Sequence, residues 1–230
     1  QMCIRDSPVC DDEGNLLGLV RGQNLFEARA IEISAQAGSM VGVEKEERLT
    51  TPLLRSLKFR HPWLQINLLT CFAAAAVVGV FSHTLDRIVL LAVFLPVVAG
   101  QSGNTGCQAL AVALRGLTLG DLKDGDERRL VIKEGLLGLA NGALVGISAG
   151  LGMWVYARMQ GHPSAVTLGL VVWAAMLASC VVSGLCGAMI PLLLRRLGAD
   201  PATASSIFLT TVTDVVSMGT FLGMATLLVP

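Results

Sequence analysis

The chain has 230 residues and no formal net charge. Only 15% of its residues are charged against 53% hydrophobic, and its mean hydropathy is +0.66. A soluble domain of this length carries about a quarter charged residues, and a nucleic-acid partner calls for a basic excess that this chain lacks, so neither class fits. The 25 glycines beside only 5% aromatics suit helices that pack closely in a bilayer.

In chain order, residues 1–7 (Gln1-Met2-Cys3-Ile4-Arg5-Asp6-Ser7) show neither a recognisable pattern nor the layout of a signal peptide, and are set aside as a non-native leader. Residues 8–20 read as strand, turn, strand, with Asp11-Asp12-Glu13-Gly14-Asn15 supplying the turn. Asn24 is expected to cap a helix reaching to about residue 37. This block resembles the last hairpin and helix of a cystathionine-β-synthase-type (CBS) domain. Residues 8–50 are therefore expected to be the C-terminal remnant of such a domain plus a linker, whose charges are Glu44, Lys45, Glu46, Glu47 and Arg48. Residues 51–62 connect it to the apolar remainder of the chain, and 51–60 (TPLLRSLKFR) are expected to lie on the membrane surface as a short amphipathic helix.

Five hydrophobic segments fill residues 63–230: 63–82, 88–114, 130–156, 166–194 and 201–229. The second is expected to be broken at Pro96 and Gly100. Each meets the roughly 20 residues needed to cross a bilayer. The fold expected is thus all-α, with five membrane helices behind a partial CBS hairpin and helix. Arg55, Lys58 and Arg60 precede the first segment. Arg115, Lys123, Arg128, Arg129 and Lys133 lie between the second and third, and Arg195 and Arg196 between the fourth and fifth. The opposite side has only Arg87 and Arg158. Basic loops stay in the cytoplasm, which puts the N-terminus inside and the C-terminus outside.

One residue in these segments demands a partner. Asp214 sits at the middle of the fifth, roughly 20 Å from either end at 1.5 Å per residue. A charge there costs about 3 kcal/mol on insertion scales. No basic residue lies at that depth, so a cation is the natural partner; a protonated Asp bonded to a neighbouring helix is the alternative. Ser206, Thr210, Thr211, Thr213 and Ser217 decorate the same helix, and Ser206 and Thr210 share the Asp214 face. These hydroxyls either serve an ion or bond back to their own helix. Glu134 falls at the cytoplasmic edge of the third segment, where it is expected to contact the ion. The stretch 100–108, GQSGNTGCQ, is polar and glycine-rich inside an apolar run. Such backbone lines a cavity or packs against protein. The six cysteines and three histidines show no zinc spacing, and nothing suggests catalysis or a bound organic cofactor.

Three runs carry a further resemblance. FLPVVAGQSGNTGCQALAVALRGL (94–117), KEGLLGLANG (133–142) and IPLLLRRLGADPATASSIFLTTVTDV (190–215) are similar to the second helix, third helix and fourth-to-fifth helix junction of the MgtE magnesium transporter family. The likeness extends over residues 8–230. It implies a homodimer in the plasma membrane, with a pore at the dimer axis lined by the second and fifth helices. It also implies hydrated Mg2+ bound by Asp214 of both subunits, with Thr210 and Ser206 one and two turns before it. Ser206 departs from the Asn frequent in relatives, and Ser34-Ala35-Gln36 departs from an acidic cluster expected after the CBS helix. The resemblance makes Gly103, Asn104, Thr105, Gly106, Thr213 and Ser217 pore-lining. Elementary ion chemistry agrees: Mg2+ sheds water reluctantly and is held through one or two carboxylates with its waters retained, which also lets it leave. Two other classes stay open at this point: a proton-coupled transporter of another solute, although no repeat between halves is visible, and a non-transporting membrane scaffold, which leaves Asp214 without a purpose.

Overall fold

The computed structural model describes residues 6–44, 46–122 and 125–229. Lys45, Lys123 and residues 1–5 of the leader lie outside the described residues. The chain divides into two compact units between His61 and Pro62.

In the first unit, β1 (Asp6–Cys10) and β2 (Leu16–Arg21) form an antiparallel hairpin with an irregularity at Val9/Cys10. Asp6 and Ser7, set aside on sequence, pair with Arg21 and Val20. The turn is organised by Asp11, whose carboxylate accepts from the Asn15 amide side chain (3.1 Å) and from the backbone N–H of Asn15 (2.8 Å) and Glu13 (3.1 Å). The Asn15 side-chain bond, first among these, holds the Asp11 carboxyl below its usual range. Helix α1 (Gly22–Ser39) begins two residues before Asn24, which is therefore inside the helix and not its cap. Glu47 of the linker accepts from Arg60 Nη2 (2.6 Å) and Nε (3.0 Å), which hold that carboxyl below the usual range.

Helix α2 (Leu53–Val80) runs unbroken through the region expected to be a separate surface helix and on through the first apolar segment, with Pro62 inside it. A short helix, α3 (Ser82–Arg87), comes next, between the first and second apolar segments. Then come α4 (Leu90–Leu119), α5 (Asp126–Met159), α6 (Ala165–Arg196) and α7 (Pro201–Leu228). Five of these helices are long and apolar enough to cross a membrane, and the fold is the all-α membrane class expected. Helix α4 is continuous through Pro96 and Gly100, contrary to the expected break. Proline removes one intrahelical donor, which a membrane helix tolerates when neighbours re-satisfy the freed carbonyl.

Helix α6 is the hub of the second unit, packing against α4, α5 and α7. Its closest partner is α5, because glycines recur every fourth residue at Gly138, Gly142, Gly146 and Gly150; Gly138 meets Gly184 and Gly150 meets Gly169, while Gly142 and Gly146 admit Cys180 and Trp173. A Cβ on Gly150 would stand 2.6 Å from the Gly169 carbonyl oxygen, and one on Gly169 2.8 Å from that of Gly150. With so little bulk between them the two backbones touch, the small-residue mode of membrane helix packing. Helices α4, α5 and α6 each end on a glycine in the left-handed region (Gly120, Gly161, Gly198) with the paired bonds of a Schellman cap, such as Asp121 N–H to Gly116 O at 3.0 Å. Asp200 starts α7 by accepting from Ala202 N–H at 3.0 Å, with Pro201 in the first turn.

The core is divided by depth. The first half of α4 and α6 and the second half of α5 and α7 supply an apolar cluster including Leu91, Val98, Met153, Leu168, Met176 and Phe221. Buried polar residues begin near mid-span, at Ser102, Ser179 and Ser217, and continue toward the Arg128/Arg196 end with Thr105, Glu134, Ser183, Ser205 and Thr213, among buried apolar residues such as Leu110, Leu114 and Leu209. Arg196, at the end of α6, forms an ion pair with Glu127 in the first turn of α5.

Candidate functional site

Helix α7 brings Asp214 to the middle of the span and packs along α4. The contact is made by Gly106, where a Cβ would stand 2.9 Å from Leu209 Cδ1 and 3.3 Å from Thr213 Cγ2 of α7. Asp214 itself is half-buried, and among the described residues no hydrogen bond or ion pair engages its carboxylate. Thr210 and Ser206, one and two turns earlier, are half-buried on the same face.

The hydroxyls of this helix bond back to it. Thr210 Oγ1 donates to Ser206 O (2.9 Å), Thr211 to Ile207 O (2.7 Å), Thr213 to Thr210 O (3.1 Å) and Ser217 to Asp214 O (3.2 Å). This back-bonding has a chemical consequence. A hydroxyl whose proton is spent on a carbonyl presents only lone pairs outward, and the waters around a cation are donors. Thr210 therefore presents lone pairs to a hydrogen-bond donor.

Residues expected to line a pore separate into two groups. Asn104 is exposed and Gly103 is open, with nothing within 4 Å of a Cβ built on it or on Gly100. Thr105, Gly106, Thr213 and Ser217 are buried within the chain. Thr105 Oγ1 donates to Gln101 O at 3.0 Å and lies 3.5 Å from Cys180 Sγ. Ser102 and Ser183 share a hydrogen bond of 2.6 Å. The polar stretch of α4 thus serves both readings: one face packs into the bundle and the other, Gly100-Gly103-Asn104-Cys107, faces outward.

Glu134 is not at an open edge. It is only 6% exposed, and here α5 lies against α6, a Cβ on Gly184 falling on the Glu134 backbone carbonyl. Its Oε1 has no hydrogen-bond partner and stands 3.8 Å from Lys133 Nζ. Sequence position beside a basic cluster gives no sign of this burial; the glycine spacing of the α5–α6 seam is the signal that does. Among the described residues no three His, Cys, Asp or Glu side chains gather into a metal cluster.

Five apolar helices, with a carboxylate halfway along the last that no hydrogen bond or ion pair engages among the described residues, define a multi-pass membrane protein. Residues 95–224 match the MgtE family, described as a divalent cation transporter, and the chain belongs to that family. Over 222 residues it is 34% identical to the magnesium transporter MgtE of Enterococcus faecalis, covering 96% of this chain and 47% of that protein. The proteins of the same name from Thermus thermophilus and Bacillus subtilis are 31% and 28% identical over 224 and 219 residues, covering 96% and 95% of this chain and 48% and 47% of theirs. The chain spans about half the length of these curated relatives.

Proposed function

We propose that this chain conducts Mg2+ across the cell membrane as a homodimer, with one hydrated ion held between the Asp214 carboxylates of two copies. Relatives named magnesium transporters support the ion. The observation that carries the site is the half-buried carboxylate at mid-span with no partner in its own chain. A second copy brings a second Asp214 carboxylate to the same ion, and Mg2+ is usually held through one or two carboxylates with its waters retained. The open Gly100/Gly103 face of α4, beside α7, supplies a surface for close approach. In this arrangement Gly103 and Asn104 line the pore with Asp214, Thr210 and Ser206. Thr105, Gly106, Thr213 and Ser217 form the layer that fixes α4 against α7. The hairpin and α1 belong to the end of a CBS domain, and 51–62 connect it to the pore unit.

The test is Mg2+ influx into proteoliposomes containing a Mg2+-sensitive dye, together with native mass spectrometry of the purified chain. Influx above protein-free vesicles and a two-chain particle are expected; a monomer that conducts Mg2+ ends the shared-site reading.

The ten basic residues on one side against two on the other orient the bundle, with the loop between α4 and α5 cytoplasmic and that between α5 and α6 external. In a background without exposed cysteines, Gln160→Cys should react with an impermeant maleimide added outside cells, and Asp121→Cys only after permeabilisation. These positions avoid Gly125 and Gly161, whose φ of 96° and 68° makes a side chain strained. External labelling at Asp121→Cys contradicts the orientation.

A further inference from the structure

Away from Asp214, the second unit holds another acidic group that its own neighbours leave unsatisfied. Glu134 is more than nine-tenths buried, and its Oε1 accepts no hydrogen bond. Buried carboxylates are otherwise paired or bound to a cation. Lys133 Nζ, at 3.8 Å, is beyond hydrogen-bond reach, and its side chain is 60% exposed. The carboxylate borders a cavity of about 180 Å³ between α4 and α5, whose other polar lining is Thr105, Gln108, Asn141 and Lys133. One water needs about 10–15 Å³, so the space admits an ion together with part of its hydration shell.

We propose that this cavity is a second divalent-cation site, with Glu134 as its charged ligand and Thr105, Gln108 and Asn141 as neutral oxygen donors to the ion or its waters. The proposal rests on the transport reading above and adds to it a resting place toward the Arg128/Arg196 end of the bundle. The donor set decides the class of ion. It consists of hard oxygens without a thiolate or imidazole, which suits Mg2+, Mn2+ or Ca2+ and not the softer transition metals. Thr105 spends its proton on Gln101 O and offers lone pairs. The amides of Gln108 and Asn141 have carbonyl oxygens to turn toward a cation. Lys133 is the one basic group in the lining, and its ammonium competes with the ion for Oε1; long and exposed, it has room to swing away.

Mn2+ serves as the probe, titrated into the full-length chain in detergent and followed by loss of the free aquo-ion signal in electron paramagnetic resonance. An Asp214→Asn background removes the carboxylate of the α7 site. That protein should still take up about one Mn2+ per chain, as expected for one carboxylate site. Adding Glu134→Gln should abolish this uptake, while adding Lys133→Gln should tighten it several-fold. A purely structural Glu134 predicts no tightening. Circular dichroism and gel filtration check that the variants fold. Should Glu134→Gln fail to fold, the exposed Lys133→Gln decides, and unchanged affinity overturns the proposal. So does uptake that is equal with and without Glu134→Gln, or uptake lost with Asp214→Asn alone. None of these results touches the Asp214 reading, which fails if Asp214→Asn conducts like the unaltered chain or if a monomer conducts.

Discussion

Asp214→Asn is expected to remove most Mg2+ influx into proteoliposomes while leaving the helical content and elution profile of the protein unchanged. Asn is nearly isosteric with Asp, and among the described residues no bond holds the Asp214 carboxylate in its own chain, so the fold loses little. The ion loses a great deal. A hydrogen bond to a charged group contributes about 1.5–3 kcal/mol, and a factor of ten corresponds to about 1.4 kcal/mol, so influx should fall by about ten- to a hundredfold. Protons compete with Mg2+ for the carboxylate oxygens, and the two facing groups titrate as one unit. Influx through the unaltered chain should therefore fall on acidification, while the residual influx of Asp214→Asn stays flat. Thr210→Ala should be milder. Its hydroxyl proton is already committed to Ser206 O at 2.9 Å, so only an acceptor lone pair is lost. Influx at neutral pH in Asp214→Asn equal to that of the unaltered chain removes Asp214 from the conduction path and the proposed function with it.

What the sequence revealed and what it hid have physical reasons. The apolar segments were legible because a bilayer demands long apolar runs, and the observed helices α4 to α7 match them to within a few residues. Asp214 was legible for the converse reason, a charge where charge is expensive. Helix α2 was misjudged because a change from amphipathic to apolar pattern at residues 60–63 looks like a boundary, yet the backbone crosses it as one helix. Pro96 and Gly100 look like breakers by propensities measured in water, where a broken helix finds solvent for its freed carbonyls; apolar surroundings hold the helix together. Gly100, Gly103 and Gly106 fall in one polar stretch, yet the six residues from Gly100 to Gly106 carry the helix about two-thirds of a turn past one full turn. Gly106 meets α7 while Gly100 and Gly103 face outward. The hydroxyls of α7 could not be assigned in advance, since whether they bond backward depends on what the helix packs against.

The glycines of α5 and α6 carry the other large expectation. A Cβ on Gly184 would overlap the Glu134 carbonyl, and one on Gly138 would overlap the Cys180 carbonyl, both closer than the 3.0 Å that real Cβ atoms respect. The obstacle in each case is backbone, which cannot rotate away as the tip of a side chain can, so the helices themselves must separate. Overpacking of this kind costs about 1–3 kcal/mol, which for a chain of this size lowers a melting midpoint by roughly 2–12 °C. Gly184→Ala should therefore melt well below the unaltered chain, as read by the surviving gel-filtration peak after heating in detergent. Gly103→Ala is the control: nothing lies within 4 Å of its Cβ, and the single chain should melt unchanged. The same substitution presses on the open face of α4, so it should weaken pairing of two copies in native mass spectrometry. The two glycines thus separate packing within a chain from packing between chains. A Gly184→Ala protein as heat-stable as the unaltered chain contradicts the close α5–α6 seam.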